Sequence, residues 1–474
     1  MTNRLMRILA LLFAFALLAS ACGDDSEGSD GDDDTDVATD DDDTTDDDAD
    51  DAPADDDADD DDAPADDDDD TAELTASFKG VTADTITIGV SYLDFVFLNE
   101  QFGISGWGDQ EGVWQALIDD LNNRGGINGR KVEAVYDGYK VTQPEDAARS
   151  CTALTEDFEV FAVLGGYLNA AATENPCIVD LNETMLIGGE INPDQLSIAR
   201  APWYDVSGAA DRATEVLLDL LVDRGDAAEA EVFLLSNLSR ADNEGVIEDA
   251  LAERNISRVE SAVLDADDEN QSAQDAVMQV ISKRIRSSGA NTVFINGNPT
   301  APLRGLIAAG LMGEVDVWTN QTDGLNNLGP SVERADAEGV IAQLSATDQE
   351  MFEEAQMTNC TAIVQAAFPD VEIIEPDVIT EDEENWFNSI RRYCRLLSLF
   401  EQLATQAGPD LTYDSIVEAA NGEYFDDFAI PGNSHASLSP DKPDAQDEYR
   451  LGVYSATESD GGVAADGPLV DIFP

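Results

Sequence analysis

The feature that most constrains this chain is an alternation of strand and helix that begins at Asp84. Short β-prone apolar runs at 85–90, 131–136, 160–164 and 185–187 are separated by helical stretches beginning at Glu111, at 145–156 and at 169–181. After Trp203-Tyr204 the pattern repeats, with strands at 231–235, 259–264, 291–295 and 315–318 and helices at 212–224, 243–254, 273–286 and 303–309. Strands alternating with helices of this length form parallel sheets covered on both faces, with right-handed crossovers. The expectation is an α/β protein of two doubly wound lobes. The clearest unit spans 111–137. Val113, Trp114, Leu117, Ile118 and Leu121 lie on one face of a 3.6-period helix. Asn122-Asn123-Arg124-Gly125-Gly126 then stops that helix, because glycine accepts the left-handed conformation its end needs. Asn128-Gly129 is a tight turn leading into the strand at 131–136.

The ends and the charge say where such a chain works. Arg4 and Arg7 precede an apolar run at 8–19, the length of a signal-peptide core and too short for an ordinary membrane span. Small residues before Cys22 look like a lipoprotein cleavage site, with Ala19 where leucine is preferred. Cleavage there makes Cys22 the first mature residue, and a multiply acylated cysteine anchors well. Plain secretion with an incidental Cys22 is the alternative. Residues 24–70 hold 28 Asp and one Glu and no Lys or Arg. Such a tract repels itself and buries no core, so it stays extended; its 47 residues reach about 160 Å at full stretch. It reads as a tether lifting the folded part off the membrane. A calcium loop would need a glycine followed six residues later by a bidentate glutamate, a spacing the tract lacks. Beyond it stand 72 acidic and 22 basic residues, and the whole protein has five lysines. Nucleic acid is excluded as a partner, since phosphate contacts need cations. An acidic, lysine-poor surface fits either a saline habitat or a high-GC coding bias.

Four cysteines follow Cys22, an even number suited to disulfides outside the cell. Three pairings are possible. Right-handed crossovers in a flavodoxin-like strand order put the helices of Cys151 and Cys177 side by side on one sheet face, which favours Cys151–Cys177, with Cys360–Cys394 as the other pair. Zinc is disfavoured: no Cys-x-x-Cys spacing occurs, and His435 is the only histidine.

The words Leu121-Asn122 and Gly125-Gly126-Ile127-Asn128-Gly129-Arg130, in that order, resemble the type I solute-binding proteins of ABC transporters, whose best-known members are the branched-chain amino-acid receptors. The resemblance covers nearly all of the chain past residue 83, and its words are specific in the first hundred residues and thin afterwards. It implies two lobes crossed three times by the chain, near 202–206, 340–347 and 424–431; Glu338-Gly339-Val340 resembles the segment before the second crossing. The implied organisation is a signal peptide at 1–21, an acylated tether at 22–75, lobe 1 at 83–205 and 346–425, and lobe 2 at 206–343 and 428–474. The third region is less regular, with helices at 384–407 and 413–420 and a strand within 446–454.

In open parallel sheets, ligands bind beyond the carboxyl ends of the strands. Those ends supply Tyr92; Tyr167, Leu168, Asn169 and Ala170; Glu190, Ile191 and Asn192; and, in the second lobe, Asn237, Asn298, Gln321 and Asp323. Asparagine and glycine also favour plain turns, which is the competing reading. Trp107 has two readings. The resemblance implies an aromatic ring stacked on the ligand, and the alternative is a hydrophobic staple with Asp109 or Gly108 as cap. Trp203 and Tyr204 are weaker aromatic candidates. Departures from the amino-acid receptors matter too. Their loops after the third and fourth strands carry hydroxyls that hold the ligand, whereas here Ala170 and Asn192 stand in those places. Helix N-terminal amides after Leu168 still suit an anion, while Glu190 suits an amine or polyol better than a carboxylate. No nucleophile elbow, phosphate loop or metal set is present, and His435 has no evident partner, so neither catalysis nor a cofactor is expected. The expected function is extracytoplasmic capture of a small polar solute, amino-acid-like or amide-like, by lobe closure, and its delivery to an ABC permease by a monomer held to the membrane through its lipid alone. A sensory binding protein reporting to a membrane receptor is the runner-up, and a structural surface protein with a vestigial cleft is a third class.

Overall fold

A computed structural model describes residues 74–209, 212–266, 270–326, 328–380, 383–457 and 462–472. The signal-like segment, Cys22 and the aspartate tract lie outside the described residues. The strands, in chain order, are β1 (Thr85–Leu93), β2 (Lys131–Tyr139), β3 (Ala162–Gly165), β4 (Met185–Gly188), β5 (Trp203–Tyr204), β6 (Glu231–Asn237), β7 (Ser257–Leu264), β8 (Thr292–Asn296), β9 (Asp316–Thr319), β10 (Ile341–Leu344), β11 (Phe428–Ile430), β12 (Asn433–Ala436), β13 (Glu448–Ser455) and β14 (Gly462–Asp471).

The first sheet has the order β2-β1-β3-β4-β5, with every pair parallel. Its strands are apolar on both sides because both sides are covered. Ala162 and Leu164 join the apolar cluster on one face and Val163 the cluster on the other. The Gln110–Asn123 helix buries Val113, Trp114, Leu117, Ile118 and Leu121, the face its spacing predicts, and Asp109 caps it by accepting from Gly112 N. At its end Gly126 is irreplaceable: φ is +70°, and a Cβ there would lie 1.9 Å from the Arg130 carbonyl oxygen. Buried Arg130 donates to the Thr82, Pro409 and Thr75 carbonyls, fastening three segments below the sheet.

The second sheet repeats the scheme as β7-β6-β8-β9-β10 and then adds β13, antiparallel to β10, and β14, antiparallel to β13. A purely parallel second sheet was the expectation, so this pair is a difference. The two passages out of the sheets follow β5 and β10. The third comes later than 424–431. Phe428, Ile430, Ala436, Leu438 and Ala445 all belong to the first sheet's apolar cluster, so the chain enters the second sheet only at β13. The hairpin β11–β12 holds the chain back because Phe428 packs edge-on to Phe425, 4.8 Å between centroids. The first and third passages run side by side: Asp205 N donates to Pro443 O (3.1 Å) and Ala445 N to Asp205 O (2.8 Å).

Both disulfides form as paired above, Cys151–Cys177 and Cys360–Cys394, each with Cα atoms 6.3 Å apart. The second ties the Ala355–Ala367 helix to the long Trp386–Gln406 helix. The stretches expected as continuous helices at 145–156 and 169–181 are interrupted by wider and tighter turns at Ala153–Asp157, Asn169–Glu174 and Cys177–Leu181. Among the described residues no helix is long and apolar enough to cross a membrane.

Candidate ligand-binding cleft

A cavity of about 700 Å³ lies where the three passages meet. The second lobe contributes Asn320, Gln321 and Thr322 after β9, Gln343 of β10 and Tyr449 of β13; the first contributes Asp348, Arg391 and Arg395; the passages contribute Gly208 and Gln446. The carboxyl ends of β9 and β10 therefore open into it, as the sheet rule requires. Gly208 has no room for a side chain, since a Cβ would lie 1.9 Å from the Tyr449 hydroxyl.

The asparagines at the strand ends of the second lobe form a buried amide chain. Asn320 Nδ2 donates to Thr214 Oγ1 (2.9 Å) and to Asn296 Oδ1 (3.3 Å), and Asn296 Nδ2 donates to Ser236 Oγ (3.3 Å) and to the Arg240 carbonyl (3.1 Å). Asn237 donates to the Asn298 carbonyl (3.2 Å), while Asn298 Oδ1 accepts from Thr300 N (2.9 Å) at the start of the next helix. These groups stiffen the rim. Gln343 Nε2 reaches the Asn320 carbonyl (3.4 Å), and its Oε1, like Asn237 Oδ1, is buried with no hydrogen-bond partner.

The candidates of the first lobe are engaged in the fold. Tyr167 is 0% exposed, edge-on to Tyr139 at 4.9 Å, with its backbone held by Asn175. Its ring is core and not a ligand wall, and Leu168 and Ile191 pack with the same cluster. Ile191 also borders a smaller hollow of about 220 Å³. Asn169 adopts φ +54°, and its N–H donates to Glu190 Oε1 (2.8 Å), so that carboxylate closes the loop. Exposed Ala170 follows in the same short turn. Asn192 caps the Pro193–Ile198 helix through Asp194 N (2.9 Å) and Gln195 N (3.3 Å). Tyr92 donates to Glu111 Oε1 (2.5 Å), and burial with that contact pushes its phenol well above its usual pKa. Half-buried Trp107 leans on Phe95, 5.0 Å between centroids, and does not line the cavity. Trp203 and Tyr204 are buried, the Trp203 indole donating to the Gly188 carbonyl (2.8 Å). Of the strand-end candidates Gln321 lines the cavity; the Asp323 side chain lies outside the described residues. His435, which lacked an evident partner in the sequence, meets Asp427 Oδ1 at 3.0 Å at the exposed edge of the β11–β12 hairpin.

Sequence reasoning missed Arg391, Arg395, Gln343, Gln446 and Tyr449. The available signal was three arginines, Arg391, Arg392 and Arg395, within five positions of a chain whose 24 Lys and Arg face 101 acids. Arg391 pairs with Asp348. Arg392 donates to the Gly165 carbonyl (2.7 Å) at the end of β3. Arg395 donates to the Val206 carbonyl (2.5 Å) and to Gln446 Oε1 (3.2 Å). Burial, with Arg391 adding repulsion, lowers Arg395 to a pKa of about 10. A separate hollow of about 420 Å³ between the Gln110–Asn123, Ala355–Ala367 and Trp386–Gln406 helices borders no strand end of either parallel sheet and shares no lining residue with the site.

Comparison with described protein families and with curated proteins finds no match. Solved structures do match. A solute-binding protein of an ABC transporter from R. palustris, in complex with 4-hydroxybenzoate, is similar with 14% identity and a TM-score of 0.53, over 82% of this chain and 98% of the other. An ABC transporter substrate-binding protein from Desulfitobacterium hafniense, in complex with Leu, matches with 13% identity and a TM-score of 0.53, over 82% and 100%. A type 1 periplasmic binding protein from Bordetella pertussis gives 12%, 0.53, 81% and 100%. At these identities the likeness is one of fold, and the fold of this chain is that of the type I periplasmic solute-binding proteins.

Proposed function

We propose that the protein captures a small polar solute outside the cell and presents it to an ABC permease. The observation that carries this reading is the cavity of about 700 Å³ at the crossing of the three passages, to which both lobes contribute polar side chains. A solute held by the second lobe's Gln321 and Gln343 gains the first lobe's contacts when the lobes draw together. Binding therefore shifts the population towards the closed form that a permease recognises. The fold shared with ABC transporter binding proteins supports the assignment, and so do two disulfides, which persist outside the reducing cytosol. Acylated Cys22 and the acidic tether would hold this monomer at the outer membrane surface of the cell. Binding, without catalysis, is the whole of the chemistry.

The test is direct. Purified protein is denatured and the released small molecules are identified by mass spectrometry, while thermal shift is read across a library of metabolites. A co-purifying solute, or a compound raising the melting temperature, is expected, because a ligand of the folded state must stabilise it. A protein that releases nothing and is stabilised by no compound overturns the proposal.

A further inference from the structure

We propose that the Cys360–Cys394 bridge is a thiol-exchange site, at which a small thiol without net negative charge adds reversibly to the protein. The proposal does not rest on solute capture. Both cysteines line the hollow of about 420 Å³ between the Gln110–Asn123, Ala355–Ala367 and Trp386–Gln406 helices, a volume within the range of small-molecule sites. They sit within their helices and keep 5% and 7% of their surface open. That surface gives onto the hollow, so a thiolate reaches the bridge without the helices parting. The other bridge has no such approach. Cys151 is 0% exposed, and Asn182 Nδ2 lies 3.6 Å from each of its two sulfurs. Neither Cys151 nor the half-buried Cys177 lines the hollows of about 700, 420 or 220 Å³. Of two disulfides in one chain, the one with access for an attacking thiolate is the labile one.

The wall of the hollow sets the class of thiol. Leu117 and Leu397 offer apolar surface to the reagent's carbon chain. Arg124, the one cation among the lining residues, is already paired with Asp120 (2.9 Å) and Glu401 (2.8 Å), which line the hollow with it. One carboxylate charge is left over, in a folded region where acids outnumber bases 72 to 22. A reagent with an anionic tail is therefore repelled, and a neutral or cationic aminothiol is admitted.

The reaction balances. The thiol gives its proton to water and its sulfur attacks one sulfur of the bridge. The Cys360–Cys394 bond breaks as the new S–S bond forms, and the released cysteine thiolate takes up a proton. The product is one mixed disulfide and one cysteine thiol. A second thiol attacking the mixed disulfide carries off the first as a small disulfide and leaves two cysteine thiols, the two electrons having come from the two reagent thiols. While the attachment lasts, the two helices lose their covalent tie.

The experiment treats the native full chain, both bridges formed, with cysteamine or with 2-mercaptoethanesulfonate. The reaction is stopped with acid, free thiols are alkylated, and peptide mass mapping follows each bridge in time. Expected is a mixed disulfide on Cys360 or Cys394 that forms about tenfold or more faster than any product at Cys151 or Cys177. Rates are taken per thiolate and divided by the same reagent's rate with a small neutral disulfide. On that scale cysteamine should outrun the sulfonate about threefold or more at low salt, and the gap should close in 1 M potassium chloride, where the Debye length is about 3 Å. Ser398→Phe, which fills part of the hollow, should slow the exchange about fivefold or more. Should that variant fail to fold, the comparison of the two bridges in the native chain decides the matter. Bridges that react at equal rates, or only as fast as the whole chain unfolds, overturn the proposal. A sulfonate that reacts as fast as cysteamine at low salt overturns the class of thiol assigned to the site.

Discussion

Asp205 sits in the first passage between the lobes, 7% exposed, its Oδ1 accepting from Val206 N (2.7 Å). Burial lifts its carboxyl from 3.8 to about 7; Arg392 and the backbone N–H groups of Val206 and Ser207 pull it back, and Asp444 pushes it up. Arg395 is also within its field, and the neighbouring passage brings Arg212, Lys442 and Asp447 around Asp444. The folded form keeps a proton that the unfolded chain has released at the same pH. Stability from this group is therefore full below about pH 4 and is lost as pH rises towards about 7. Asp205→Asn removes the titration. Relative to the native protein it should gain stability on going from pH 4 to pH 8, on the order of 1–4 kcal/mol, measured by urea unfolding at each pH. Titration elsewhere is common to both proteins and cancels. Parallel profiles for the two would show that Asp205 is ionised in the fold.

The Trp386–Gln406 helix shows which elements were legible in the sequence and which were not. Its amphipathic repeat announces a helix, and its buried face, Phe387, Ile390, Tyr393, Leu397 and Phe400 among others, is the one the period gives. The direction in which the polar edge looks is another matter. Arginines on an amphipathic helix read as a solvated face, and only packing against the first sheet turns Arg391 and Arg395 onto the hinge. The strand-end loops were likewise legible as loops, but the role of their asparagines was not. Helix caps, amide chains and ligand contacts all call for the same short amide, so Asn192 as a cap and Asn192 as a clamp look identical in one dimension. The strand β14 was invisible because GVAADGPLVD has glycine and proline and no apolar alternation, and most of it is exposed. The disulfide that holds the long helix was legible, and it carries a prediction. Cys360 and Cys394 are 34 residues apart, so replacing both with serine should cost about 3–4 kcal/mol by the loop-entropy argument. Urea unfolding of the double variant should show this as a lower midpoint with an unchanged thermal-shift response to any identified solute, since the bridge does not line the hinge cavity. A loss below 1 kcal/mol would mean that the unfolded chain keeps these two helices together without the bond.

For the molecule as a whole, charge sets the terms. The ion pairs run largely through arginine, for example Arg124 with Asp120 and Glu401, Arg149 with Asp137 and Asp146, and Arg200 with Asp180 and Glu183. Exposed pairs of this kind contribute about 0–1 kcal/mol each. Even if every one of the 22 basic residues beyond the tether neutralised one acid, a large excess of the 72 acids would remain unpaired. Salt acts on both contributions, weakening the pairs and the self-repulsion alike, and the residue counts decide which prevails. Repulsion is the larger because it is summed over all unpaired acids, at separations comparable with the Debye length of about 10 Å at 0.1 M. Raising potassium chloride to 1 M shortens that length to about 3 Å. The melting temperature should accordingly rise between 0.05 M and 1 M potassium chloride, by several degrees, with the steepest rise below about 0.3 M, where the Debye length changes fastest. Chloride is the anion of choice because sulfate would also strengthen apolar burial and blur the reading. A melting temperature that falls with salt would mean that the arginine pairs outweigh the excess acid, and that the acidic surface imposes no electrostatic cost on the folded lobes.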